Sequence, residues 1–174
     1  MECRMETERL IIRRLRDGDA RSMYENHSDD EVERWFPNER YADPNEAREA
    51  IRFFGECVDG GRLPFVLGAE LKETGELIGD AGISEVEGRA RGIEVGYCIG
   101  RKYRRRGYAT ELLRAITEHA AACLEGGTIY GRVVRGNDAS ARVLEKNAYR
   151  FVEMELGAED DPYGSGMMVY KREL

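Results

Sequence analysis

The stretch Tyr103-Arg104-Arg105-Arg106-Gly107-Tyr108-Ala109-Thr110 constrains this chain most, because of what stands on either side of it. Before it, Ile93, Val95, Tyr97 and Ile99 alternate with Glu94, Gly96 and Cys98, the period of two that marks a strand. After it, Ala109, Leu113, Ile116, Ala120 and the pair Cys123/Leu124 recur every three or four residues, the stripe of a helix packed by one face. A strand, a short arginine and glycine turn and a helix start together make an anion site. The first helical turn has N–H groups without partners in the helix, and the aligned peptide dipoles add positive charge there. Gly107 lets the backbone come close to a phosphate, and Arg104, Arg105 and Arg106 supply forked donors. The expected ligand therefore carries a phosphate or diphosphate. Three arginines also fit a solvated face or a nucleic-acid patch. The net charge of −7 disfavours the patch, since nucleic-acid footprints are normally basic, and the glycine in register between strand and helix favours phosphate. Neither G-x-x-x-x-G-K-[ST] nor G-x-G-x-x-G after a strand occurs, which sets aside NTPase and dinucleotide readings.

The 174 residues suffice for one sizeable core, and no Pro/Ser-rich linker divides them, so a single domain over 1–174 is expected. Residues 9–16 alternate loosely as a first strand, and Asp17-Gly18-Asp19 ends it and caps a helix running to about Asn26. Residues 29–36 form a short acidic helical piece stopped by Pro37; its Trp35, the only tryptophan, and Phe36 fit either an acceptor pocket or an anchor in the core. Asp43-Pro44-Asn45-Glu46 is a helix start with a capping Asp, Pro at the first position and Glu three residues after the cap. Its buried stripe is Ala47, Ala50/Ile51, Phe54 and Val58. Strands at 64–71 and 76–84, a turn at Lys72-Glu73-Thr74-Gly75 and a second reversal at 87–92 lead into the Ile93 strand as an antiparallel meander. A strand at 128–134, joined to the Ile93 strand by the long helix, should run parallel to it and close by. A short helix at 140–146 and strands at 149–156 and 167–172 complete the chain, with an acidic loop at 157–166.

Cys3, Cys57, Cys98 and Cys123 are dispersed and only two histidines are present, so neither a zinc site nor a disulfide framework is expected, and a reducing cytosol fits. The start lacks an apolar leader and no stretch reaches membrane-span length, which points to the cytoplasm. His27 and His119 read as structural or exposed rather than catalytic, and no metal is implied.

Arg104-x-x-Gly107-x-Ala109 fits the Arg/Gln-x-x-Gly-x-Gly/Ala pattern of the GNAT N-acetyltransferases. Thr7-Glu8-Arg9-Leu10 and the run Asn137-Asp138-Ala139-Ser140-Ala141-Arg142-Val143-Leu144-Glu145-Lys146-Asn147 look like the branch that contains the ribosomal-protein N-terminal acetyltransferases. The resemblance covers nearly the whole chain. It implies an α/β fold whose mixed, mostly antiparallel sheet has six to seven strands, with strands 4 and 5 parallel and splayed apart and helices on both faces. It implies acetyl-CoA as co-substrate, with its diphosphate on Arg104, Arg105, Arg106, Gly107, Tyr108, Ala109 and Thr110. The pantetheine arm would lie along Cys98 and Ile99, an N–H near Tyr97 or Cys98 would face the thioester oxygen, and Asn137 and Ser140 would approach the arm and its sulfur. Relatives commonly carry glycine at the place of Arg105, and Gly-Phe at the place of Ala148-Tyr149. Alanine then stands where a helix commonly ends in a left-handed residue, so either Asn147 takes that role or the helix ends differently.

Acetyl transfer to an amine needs a route for the amine's proton and a proton for the departing thiolate. Glu94 is the candidate base, directly or through water, and is otherwise a solvated or salt-bridged strand carboxylate. Many relatives place an acidic tyrosine four residues after the position of Ser140; here that residue is Leu144, which leaves Ser140 or water as the acid. The acidic clusters Asp29-Asp30-Glu31 and Glu159-Asp160-Asp161 favour a cationic acceptor: a peptide or protein N-terminus, a polyamine or an aminoglycoside. The alternative is an inactive acyl-CoA-binding sensor. A homodimer is compatible with the sequence, which leaves the oligomeric state open.

Overall fold

A sheet of eight strands organises the computed structural model, which describes residues 4–86, 92–123, 127–157 and 166–173, the side chain of Cys123 aside. The reversal expected at 87–91, the cluster Glu159-Asp160-Asp161, Cys3 and Leu124 lie outside the described residues. From one edge to the other the strands are β1 (Arg4–Glu6), β2 (Leu10–Arg14), β3 (Phe65–Leu71), β4 (Leu77–Glu85), β5 (Gly92–Ile99), β6 (Thr128–Val134), β8 (Met167–Glu173) and β7 (Arg150–Glu155). All neighbours pair antiparallel except β5 and β6. The strand beyond the six to seven expected is β1, whose sequence Arg-Met-Glu has no apolar alternation and which is held by backbone pairing to Arg13, Ile12 and Ile11.

The helices are α1 (Ala20–Asn26), α2 (Asp30–Trp35), α3 (Pro44–Asp59), α4 (Tyr108–Cys123) and α5 (Asp138–Lys146). Leu112, Leu113 and Ile116 of α4 and Leu144 of α5 are buried with Leu10, Ile12, Leu67 and Ile129 of the sheet. Ala20 and Met23 of α1 and Ala47 and Ile51 of α3 close over Leu15 and Leu77 as a second cluster. Each fully buried Leu or Ile of this kind contributes roughly 1.5–3 kcal/mol. Both faces therefore carry packed helices, the edge strand β7 stays largely exposed, and β5 and β6 part beyond their first residues. Their register runs only through Gly92↔Thr128, Ile93↔Ile129 and Glu94↔Tyr130, although the strands continue to Ile99 and Val134.

Helix α5 ends on Ala148, not Asn147, as its left-handed residue. Ala148 has φ 63°, whereas Asn147 stays at φ −100°. Two bonds close the end, Ala148 N–H to Glu145 O at 3.0 Å and Tyr149 N–H to Leu144 O at 3.1 Å, the double closure normally built around glycine. Ala148→Gly should therefore raise stability by about 0.5–1 kcal/mol, the relief of the left-handed cost being partly offset by a freer unfolded chain. Urea unfolding would measure it, and an unchanged or lower midpoint would show that the strain is absent.

Candidate active site

Strand β5 ends at Ile99, a 3-10 turn follows at Arg101–Tyr103, and α4 opens at Tyr108. Between them Arg105 and Gly107 both take positive φ, 62° and 82°. The arginine that stands at a common glycine position thus adopts the conformation a glycine would, at about 1–2 kcal/mol. The first bond from the turn region into the helix is Glu111 N–H to Gly107 O, and among the described residues no protein acceptor takes the N–H groups of residues 105–110. They are the free donors an anion needs.

The Thr7-Glu8-Arg9-Leu10 block clasps this turn. Arg9 donates to Arg106 O at 2.8 Å, lies 4.4 Å over the Tyr108 ring, and grips the Glu111 carboxylate through its backbone N–H (2.8 Å) and Nε (2.7 Å). Thr7 Oγ1 adds a bond to Glu111 Oε1 at 2.6 Å. These contacts hold Glu111 well placed at the positive end of α4 and lower its pKa against the opposing effect of burial.

The three arginines do not act together as forked donors. Arg104 turns inward, giving Nε–H to Ile99 O at 2.7 Å, its fork to Asp29 at 3.0 and 2.7 Å, and Nη1 also to Glu31 at 2.8 Å. Arg105 and Arg106 remain exposed beside the free amides. The same bond means that the Ile99 carbonyl, expected to meet a pantetheine arm, already accepts from Arg104. Asp29 and Glu31 are likewise engaged by Arg104, and none of Asp29, Asp30 and Glu31 lines the cleft between β5 and β6.

Where β5 and β6 separate lies a cleft of about 570 Å³, lined among others by Glu94, Gly96, Tyr97, Cys98, Arg132, Asn137 and Ser140. Its size is that of a small-molecule site. The Tyr97 hydroxyl lies 2.8 Å from Ser140 Oγ and 3.2 Å from Ser140 O, joining β5 to the start of α5. Burial pushes the Tyr97 phenol well above its usual range, so it stays protonated. Asn137 caps α5, its Oδ1 accepting from Ser140 N–H at 3.2 Å. Leu144 is 1% exposed and packs where a Cβ on Gly131 would come within 2.6 Å of it, so the common tyrosine position is core here.

Glu94 is a salt-bridged carboxylate: Arg132 reaches it with Nε at 2.9 Å and Nη2 at 2.8 Å. Both contacts fall on Oε2, and Glu94 still lines the cleft. Arg132 sits on β6 and carried no signal in the sequence. Trp35 and Phe36 line the cleft, half-buried, which favours the pocket reading over the core reading.

The cleft also holds a pair that sequence reasoning missed. His27 is 3% exposed, with Nε2 2.7 Å from Asp80 Oδ2 and Nδ1 2.8 Å from Glu39 O. Both partners only accept while Asp80 is ionised, so both ring nitrogens donate and the ring is an imidazolium. Burial by itself would lower its pKa; the Asp80 carboxylate overrides this and holds it well above the usual histidine value. The Cys98 thiol donates to Asn26 O at 3.6 Å. His119 stacks on Phe65 at 5.5 Å, and burial lowers its pKa. Among the described residues no group of three or more His, Cys, Asp or Glu is placed to hold a metal ion, and no helix is long and apolar enough to cross a membrane.

Residues 9–150 match the family described as acetyltransferase (GNAT) domain. The chain is 31% identical over 146 residues to the uncharacterized N-acetyltransferase YoaA of Bacillus subtilis (strain 168), covering 84% of this chain and 82% of that protein. The solved ribosomal-protein-S5-alanine acetyltransferase of Vibrio fischeri superposes with a TM-score of 0.82 at 16% identity, over 99% of this chain and 97% of its own. RimL, a ribosomal L7/L12 alpha-N-protein acetyltransferase solved in complex with coenzyme A, superposes with a TM-score of 0.81 at 14% identity, over 97% and 96%. At those identities the two structures speak for the fold alone. The domain match spans most of the chain, and it falls on the same anion turn and parted strands that the geometry singles out: this chain belongs to the GNAT family of acetyltransferases.

Proposed function

We propose that the protein transfers an acetyl group from acetyl-CoA directly to a primary amine carried by a cationic acceptor. The observation that carries this is the row of free amides at residues 105–110, set at the end of the strand whose open edge lines the cleft. These groups fit the coenzyme. The amides and Arg105 and Arg106 take the diphosphate, and Tyr108, Ala109 and Thr110 supply the first helical turn. The edge of β5 past Glu94, at Tyr97 and Cys98, receives the pantetheine arm as an added strand, and one N–H there faces the thioester oxygen. The Asn137 amide nitrogen, its oxygen being used in the cap, meets a pantetheine carbonyl. Bound acetyl-CoA supplies the activated acetyl group.

Ser140 gives its proton to the departing thiolate and regains one from water, while the neutral Tyr97 phenol 2.8 Å behind it holds the hydroxyl in place. This serine stands in for the tyrosine that Leu144 displaces. Glu94 removes the amine's proton through Oε1, directly or through water, while Arg132 holds Oε2. Such a route is needed because a primary amine of pKa near ~10 is mostly charged at neutral pH. The cationic preference now rests on the cleft itself. Its lining carboxylates Glu39, Asp80, Glu94 and Glu155 outnumber its cations His27 and Arg132, with Trp35, Phe36 and Tyr41 beside them. A peptide or protein N-terminus, a polyamine and an aminoglycoside all carry the required charge.

Calorimetry with acetyl-CoA, followed by thiol release across an amine panel, tests the reading. Binding without turnover on any amine would make the protein an acyl-CoA sensor instead. Equal turnover of neutral and cationic amines at low salt would remove the acceptor preference. Glu94→Gln should lower turnover about 10²-fold or more and change its pH profile while leaving coenzyme affinity nearly alone. A native profile in that variant would return Glu94 to a purely structural salt bridge.

A further inference from the structure

Gly68, Gly79, Gly82 and Gly131 stand inside strands for a packing reason. A Cβ would come 2.6 Å from Leu77 Cδ1 at Gly68, 2.2 Å from Cys98 O at Gly79, 2.9 Å from Val66 Cγ2 at Gly82 and 2.6 Å from Leu144 Cδ2 at Gly131. Gly96, in the middle of β5, has no such reason: among the described residues, a Cβ there would meet nothing within 4 Å. The backbone does not demand glycine either. Gly96 is not one of the positive-φ residues, and the register of β4 with β5 runs unbroken from Gly79↔Ile99 to Glu85↔Ile93, so no bulge falls on it. Glycine inside a strand lowers stability, and one that neither packs nor turns marks a place where a ligand comes against the backbone.

The neighbours of Gly96 say which ligand. It is exposed and lines the cleft, on the face of β5 that also carries Glu94 and Cys98, while Ile93, Val95 and Ile99 are buried in the apolar cluster. Opposite it on β4 is Gly82. The floor between the pairs Ser84↔Glu94 and Asp80↔Cys98 therefore carries no side chain from either strand. Residues two apart along a strand are about 7 Å apart, so Glu94 stands one such step to one side of Gly96, and the thioester assigned to Tyr97 and Cys98 lies to the other. An amine that gives its proton to Glu94 and attacks that thioester crosses this floor, and the carbon that bears it comes where a side chain on Gly96 would stand. We infer that Gly96 is a specificity-determining residue, its bare backbone leaving room for an acceptor amine borne on a branched carbon. This rests on the acetyl-transfer reading above and divides the acceptors named there. The α-amine of most peptides and the ring amines of an aminoglycoside sit on branched carbons; the terminal amine of a polyamine sits on a slender methylene.

Gly96→Ala tests this on matched cationic pairs, glycyl-arginine amide against alanyl-arginine amide and putrescine against diaminocyclohexane, with thiol release giving kcat/KM for each. The native chain should turn over both members of at least one pair. In Gly96→Ala, kcat/KM for the branched member should fall about tenfold or more, the scale on which one methyl group counts in a closed site, and for the unbranched member by no more than about threefold. Coenzyme A affinity, read by calorimetry, should stay within about threefold. The urea midpoint should match or exceed the native one, because alanine is the better strand residue where nothing crowds it. A firmer fold with a narrower acceptor range is a combination that a structural role for Gly96 would not give. A lowered midpoint would show that the Cβ does not enter open space, and it overturns the inference. So does a branched member turned over as well as by the native chain, an equal loss on both members, or a loss that grows when propionyl-CoA replaces acetyl-CoA and ignores the amine. A native chain that accepts only the unbranched members overturns it too, with acetyl transfer left standing. Turnover of no amine by a native chain that binds acetyl-CoA removes the transfer reading itself, and the role of Gly96 with it.

Discussion

Gly107→Glu should give a folded protein whose affinity for coenzyme A has fallen by about a hundredfold or more. The position has φ 82°, so any side chain there is strained by about 1–2 kcal/mol. The new Cβ would lie 3.3 Å from Arg9 Nη2, which disturbs the clasp that holds Arg106 O and Glu111. More important, a carboxylate would stand among the N–H groups assigned to the diphosphate. Opposed like charges cost several kcal/mol, and each 1.4 kcal/mol is tenfold in affinity. Gly107 itself is exposed and belongs to neither apolar cluster, although Tyr108 beside it is part of the first, so cooperative melting should persist. Gly107→Ala carries the strain without the charge and should lose less affinity, which separates the two causes. Calorimetry that found Gly107→Glu binding as tightly as the native protein would remove the anion site from this turn.

Asp80→Ala should cost about 3–5 kcal/mol near pH 6, the usual penalty for stripping one partner from a buried ion pair. At about 2–4 °C per kcal/mol for a chain of this size, the melting temperature should drop by roughly 6–20 °C. The cause is His27, whose ring would be left a buried cation with only the Glu39 carbonyl to receive it. The pH dependence has a definite sign. Because the folded pKa of His27 lies above the unfolded value near 6.5, the native state keeps a proton that the unfolded state releases. The stability from the pair is complete below pH 6.5 and is lost as pH rises from there through the folded value, by at most about 1.4 kcal/mol per pH unit. Asp80→Ala should flatten that slope. Calorimetric melts across pH 6 to about 9 would show it, and a variant with native stability and native slope would mean that the ring is neutral in the folded protein.

How far the chain could be read depended on sequence distance. The Ile93 strand, the turn after it and α4 are contiguous, and each carries a local signature: alternation, a glycine needing positive φ, and a stripe every three or four residues. The end of α5 was half legible. The expected glycine was visibly missing, but only the bonds from Ala148 and Tyr149 back to Glu145 and Leu144 show that alanine accepts the left-handed geometry. The arginine run misled in part, because Arg104 meets its carboxylate 75 residues away at Asp29, and a charge run read locally cannot announce a partner so remote. Strand β1 gave no sign, since three charged and mixed residues pair through their backbone alone.

Periodicity and local backbone chemistry thus set, from residue order by itself, the strand, the positive-φ turn and the helix, and the motif within them carried the resemblance that the domain match bears out. Which carboxylate neutralises which cation was decided only when β2 to β6 and α1 to α5 packed together. Ion pairs such as His27–Asp80, 53 residues apart, and Glu94–Arg132, 38 apart, form between groups that share no local pattern. Apolar burial sets the distances between them. Burial, which makes an unpaired charge costly, then selects the pairs, and with them the charge that the cleft presents to an amine.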